Sequence, residues 1–134
     1  NIEYYHQLVK ELDLERQVIF TGTRLDVDDF YTISDIFLFP SYYDPFGNVV
    51  LEAMQFGNAV FTTQQTGASE LLEKDFVMTN STDFSVVKKI DYLLNDLEKL
   101  QEIKERNILK SRQFSIELNV IKTMKIVSRA LNDF

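Results

Sequence analysis

Gly47, Asn48 and Val49 fall where an apolar run ending at Phe39-Pro40-Ser41 gives way to a second apolar stretch over residues 49–56. The spacing predicts a strand, a loop and then a helix. The first amides of a helix have no intrahelical acceptor and lie at the positive end of its dipole, so these three could bind a phosphate or diphosphate. Gly47 at the first turn costs about 0.5–1 kcal/mol relative to Ala, which close backbone approach by a ligand would compensate. Glu52 lies one turn beyond Asn48 on the same helix face, where its carboxylate could accept from two neighbouring sugar hydroxyls. Asp44 flanks this place from the loop side. A plainer reading has Asp44 cap the helix with Pro45 in its first position, and Glu52 a surface carboxylate.

The elements that must position these residues follow from periodicity. Tyr5, Leu8, Val9 and Leu12 predict an amphipathic helix over residues 1–14. Val18-Ile19-Phe20 and Ile36-Phe37-Leu38-Phe39 read as buried parallel strands, with a short helix between them carrying Val27, Phe30, Tyr31 and Ile33. The helix over 49–56 closes at Gly57, a favoured residue past a helix end. Ala59-Val60-Phe61-Thr62 is a third strand, 68–72 a short helix, and Phe76-Val77-Met78 a fourth strand. From Asp83 onward the pattern is helical: Val86, Val87, Ile90, Leu93 and Leu94 share one face, followed by Leu97, Leu100 and Ile103. A closing helix uses Val120, Ile121, Met124, Val127 and Leu131. Alternating strands and helices predict an α/β fold, a Rossmann-like parallel sheet with helices on both faces and further helices at the C-terminal end. Ligands of such sheets bind beyond the carboxyl ends of the strands, which is where residues 41–48 lie. A doubly wound sheet normally begins with a strand opening the ligand crevice, and none precedes the first helix here, so the sheet is read as truncated at its N-terminus.

Composition bounds the chemistry. With 134 residues, 45% of them hydrophobic, the chain suits one domain and one core. No apolar run approaches the roughly 20 residues of a membrane-spanning helix, and no export signal is evident, so a soluble, cytoplasmic setting is expected. The absence of cysteine removes thiolate chemistry, and a lone His6 cannot build a histidine metal cluster. Fourteen Lys and Arg against 21 Asp and Glu give a net charge of -7, which disfavours nucleic acid as a partner and leaves an anionic ligand in need of local help.

The segment Asp44-Pro45-Phe46-Gly47-(X4)-Glu52 resembles the Glu-X-Phe-Gly-X4-Glu signature of retaining glycosyltransferases of family 4, with Asp for the first Glu. Gly57-Asn58-Ala59-Val60 resembles that family's Gly-X-Pro-Val strand start, Gly67-Ala68-Ser69-Glu70-Leu71 its Gly-Gly-X-X-Glu-hydrophobic turn, and Val18-Ile19-Phe20-Thr21-Gly22 the strand and glycine near the nucleotide base. The matches run in order from Val18 to Leu72. The resemblance implies the donor-binding domain of the GT-B fold, acting on a nucleotide-diphosphate sugar. It implies that Gly47, Asn48 and Val49, with Phe46 beside them, hold the diphosphate. Glu52 would bind the ribose, Asp44 would contact the hexose, and Gly22, Thr23 and Arg24 would lie near the base. Asp44 and Glu52 are the candidate catalytic residues. The shorter Asp44 reaches one methylene less far towards the hexose. The resemblance implies no cofactor and no essential metal. It also implies an N-terminal acceptor domain as partner, a cell-envelope polysaccharide or lipopolysaccharide as acceptor class, and a parent enzyme at the inner face of the membrane. The family's basic Arg and Lys have no match here, so the expectation is weak donor binding without sugar transfer.

Other readings carry less. Asp26-Val27-Asp28-Asp29 contains an Asp-X-Asp that could grip a metal, but acidic residues at a helix start are explained by its dipole. His6 reads as a solvated surface residue, and Tyr42-Tyr43 as aromatics that line the crevice mouth or border the core. A phospho-receiver module would need an Asp at the end of the central strand, where Phe39-Pro40-Ser41 has none. A non-catalytic nucleotide-sugar-binding module would show the same Gly47 and Glu52 signals and is the alternative function.

Overall fold

The computed structural model describes residues 2–114 and 116–132. Three parallel strands, β1 (Ile36–Phe39), β2 (Ala59–Thr63) and β3 (Val77–Met78), lie in the order β1-β2-β3. Ile36 pairs with Ala59 and Phe39 with Thr62 in one ladder; Thr62 pairs with Val77 and Thr63 with Met78 in the other. The helices are α1 (Ile2–Glu11), α2 (Val27–Ile33), α3 (Asn48–Gln55), α4 (Val86–Asn95), α5 (Leu97–Ser111) and α6 (Ile116–Asn132), with 3-10 turns at Gly67–Leu71, Lys74–Phe76 and Arg112–Phe114.

β2 is buried along its whole length, and its alternation divides the core. Val60 joins Tyr31, Val50, Leu51, Ala53, Met54, Ala68 and Leu71 on the face covered by α2 and α3. Ala59 and Phe61 join Phe76, Val86, Leu93, Leu100 and Ile103 on the face covered by α4 and α5. Helices thus lie on both faces of a parallel sheet, as the strand and helix rhythm implies.

Asn58 ties the two layers together. It is fully buried; its Nδ2 donates to the carbonyls of Tyr31 at 2.9 Å and Ser34 at 2.6 Å, and its own carbonyl accepts from Asn107 Nδ2 at 2.8 Å. Its amide also donates to the Ala53 carbonyl at 3.0 Å, so side chain and backbone together fix the entry into β2.

Several elements differ from expectation. Val18-Ile19-Phe20 is not a strand: Val18 donates its amide to Leu14 at 2.9 Å, Ile19 is exposed, and no ladder forms. A strand exists only through its neighbours' hydrogen bonds, and apolar composition alone does not supply them. α1 ends earlier than its apolar pattern, where Asp13 turns to φ +54°. Phe76 closes a 3-10 turn, leaving a two-residue β3. The apolar faces of the last helices are wider than what they bury: Val87, Leu94 and Leu97 are exposed, and so are Val120, Ile121, Met124, Val127 and Leu131 on α6.

Candidate functional site

α3 opens directly above the carboxyl ends of β1 and β2. Gly47 is its N-cap with φ +80°, and a Cβ there would meet Thr66 Cγ2 at 2.5 Å, so both backbone and space demand glycine. The amides of Gly47, Asn48 and Val49 have no acceptor among the described residues, while Val50 donates to Gly47 at 2.9 Å. No side chain caps the helix. Asp44 instead accepts the Phe46 amide at 3.0 Å, two residues on, and stabilises the loop before the cap. The expectation that Asp44 caps the helix is thereby corrected: the chain between them is one turn too long.

Behind the loop, the second glycine-led segment forms its support. Asp44 donates its amide to Gln65 at 3.2 Å, Gly67 donates to Asp44 at 3.0 Å, and Ala68 donates to Phe46 at 2.6 Å. A Cβ on Gly67 would lie 2.3 Å from the Pro45 carbonyl, so only glycine lets the backbones approach this closely. Beneath them are three buried threonines. Thr62 donates to the Phe39 carbonyl at 2.9 Å and lies 3.0 Å from Thr66 Oγ1, and Thr63 donates to the Ser41 carbonyl at 2.6 Å.

Glu52 is half-buried and accepts from the Tyr31 hydroxyl at 3.2 Å. Tyr31 packs edge-on to Phe37 at 5.5 Å and stacks with Phe56 at 5.6 Å, so the donor is held rigidly. Burial, with the charge and hydrogen bond of Glu52 beside it, pushes the Tyr31 phenol up to about 12. Asn48, Glu52 and Gln55 line one wall of a cleft of about 560 Å³ with Phe46 and Leu51; Gln113, Phe114, Asn119 and Lys122 line the other. Glu52 therefore lines a cleft that also reaches Asn48 at the helix mouth. This arrangement can accept an anionic group at the helix mouth and a polyhydroxylated one at the carboxylate.

Residues 2–110 match the family of glycosyl transferases group 1. The chain belongs to that family. An uncharacterized glycosyltransferase of Haemophilus influenzae is 30% identical over 119 residues, covering 86% of this chain and 34% of that protein. The serotype-specific mannosyltransferase WbdA of Escherichia coli is 30% identical over 118 residues, covering 85% and 14%. The crystal structure of Anabaena Alr3699/HepE in complex with UDP superposes on 99% of this chain and 37% of its own with a TM-score of 0.82 at 26% identity; that protein has also been crystallised with UDP-glucose. The chain thus spans about a third or less of the length of these glycosyltransferases. Its fold is the Rossmann-like one of the GT-B enzymes.

Within this glycosyltransferase chain, the structure brings Phe46, Asn48 and Glu52 to one cleft, with Gly47 and Val49 adjacent in the same loop and helix. Gly22, Thr23 and Arg24 are not among the cleft residues. They lie on an exposed loop, where Arg24 pairs with Asp26 at 2.6 Å and rests over Phe30 at 5.7 Å. Asp26 is thereby engaged by a cation of the chain itself, which lowers its pKa. Tyr42 and Tyr43 are exposed, and so is His6, as expected of a surface residue; its ring lies 4.0 Å from that of Phe20, tilted by 42°. Sequence reading missed Tyr31, the threonine support and the opposing wall from Gln113 to Lys122. The buried Thr62-Thr63 pair at a strand end was the available signal for the support. Among the described residues, no helix is long and apolar enough to cross a membrane.

Proposed function

We propose that this chain is the donor-binding part of a retaining glycosyltransferase and takes a nucleotide-diphosphate sugar. The amides of Gly47, Asn48 and Val49, with Phe46 beside them, hold the diphosphate, Glu52 accepts from the ribose hydroxyls, and Asp44 borders the hexose. What carries this reading is the conjunction of three unpartnered amides with a positioned carboxylate one turn deeper, Asn48 and Glu52 lining the same cleft. The Anabaena structures with UDP and UDP-glucose support the ligand class. Gly22, Thr23 and Arg24 remain the proposed neighbours of the base, reached by the part of the nucleotide that extends beyond the cleft. The acceptor is proposed to be a cell-envelope glycan, with the parent enzyme cytoplasmic and associated with the inner face of the membrane through parts beyond this chain. No cofactor is proposed.

Calorimetric titration with UDP, GDP and ADP and their sugars tests this on the wild type, Glu52→Ala and Glu52→Gln. Loss of the carboxylate is expected to weaken the preferred nucleotide by about 1.5–3 kcal/mol, the range for hydrogen bonds to a charged group. Glu52→Gln keeps an acceptor for Tyr31 and separates binding from folding. Unchanged affinity in both variants would refute the ribose contact.

A further inference from the structure

Lys122, on α6, lines the same cleft as Asn48 and Glu52 from the opposite wall and is, among the described residues, the only basic one lining it. It makes no ion pair with a described residue. Several other basic side chains are already engaged: Arg24 with Asp26, Lys89 with Asp75, Lys99 with Glu102, Lys104 with Asp35, and Arg106 with Glu73. A diphosphate entering a chain of net charge -7, beside the Glu52 carboxylate, meets repulsion that neutral amides only partly offset. A flexible ammonium on the facing wall would supply the missing charge, and a four-carbon stem lets it follow the phosphates.

We propose that Lys122 is a donor-binding residue that contacts the phosphates of the nucleotide, so that α6 closes the diphosphate site opened by α3. This rests on the donor reading above and adds a cation to it. Gln113 and Asn119, on the same wall, offer amides to the remaining polar groups.

The test is titration of the 134-residue chain with uridine, UMP and UDP, and with the guanosine and adenosine series, for the wild type, Lys122→Ala, Lys122→Arg and Lys125→Ala. Circular dichroism melts confirm that each variant is folded. Lys122→Ala is expected to weaken the diphosphate by about tenfold to a hundredfold, the monophosphate less and the nucleoside not at all. Lys122→Arg should recover most of the loss, and Lys125→Ala should leave affinity unchanged. If Glu52→Ala weakens the diphosphate and Lys122→Ala does not, or if the Lys122 loss is equal for nucleoside and diphosphate, the Lys122 assignment is overturned while the donor reading stands. A wild type that binds none of the diphosphates overturns both.

Discussion

Tyr31 donates to Glu52 from a ring fixed by Phe37 and Phe56, so the carboxylate that is proposed to meet the ribose is oriented before any ligand arrives. Orientation in advance reduces what must be ordered on binding. The same contact has a pH signature. The phenol titrates at 10.0 when free and is pushed up to about 12 in the fold, chiefly by burial. Because the folded value is the higher one, the stabilisation is complete below pH 10 and is lost as pH rises towards 12. A displacement of this size corresponds to about 2–3 kcal/mol. Denaturant unfolding at pH 8 and pH 11.5 should therefore show a larger loss for the wild type than for Tyr31→Phe. Equal losses would mean that the phenol is not so placed.

Between elements, the fully buried Asn58 joins the end of α2, the start of β2 and α5 through side-chain and backbone bonds. Removing its amide leaves the Ser34 carbonyl without its donor and the Tyr31 carbonyl with only the Ser34 amide at 3.4 Å, and orphaned buried groups cost more than an average hydrogen bond is worth. Asn58→Ala is expected to destabilise the chain by about 2–4 kcal/mol in chemical denaturation. It should also weaken nucleotide binding, because Tyr31 is the residue so anchored; a change below about 0.5 kcal/mol, the scale of an ordinary surface substitution, would contradict this. Element by element, legibility followed locality. The helix start at Gly47 and the burial of β2 depend on neighbours in the chain, and periodicity alone exposes them. Val18-Ile19-Phe20 looked like a strand because its side chains suit one, but a ladder depends on a partner that composition cannot reveal. Tyr31 reads as one more core aromatic until the packing of α2 brings its hydroxyl to Glu52, 21 residues away in sequence. Lys122 and Asn119 sit on an amphipathic helix whose pattern says nothing about which polar residues face α3.

At the scale of the whole molecule, the proposed anion site of an acidic chain lies at one helix mouth, and among the described residues the adjoining cleft is lined by a single basic side chain. It spans about a third or less of the Haemophilus, Escherichia and Anabaena proteins named above, and the groups proposed here all serve the donor. Transfer also needs an acceptor hydroxyl held in line with the sugar, a positioning that supplies a large part of enzymatic rate. The 134-residue chain is therefore expected to bind nucleotide without moving sugar. Radiolabelled UDP-glucose should yield neither transfer product nor free glucose above background, and a rate above background would show that these residues suffice. The diphosphate assignment itself is read most directly from the backbone amides. On titration with UDP in heteronuclear NMR, the amide signals of Gly47, Asn48 and Val49 should move downfield together and saturably, and uridine should move them far less. Saturable UDP binding that leaves those three signals in place while shifting amides elsewhere would contradict the assignment.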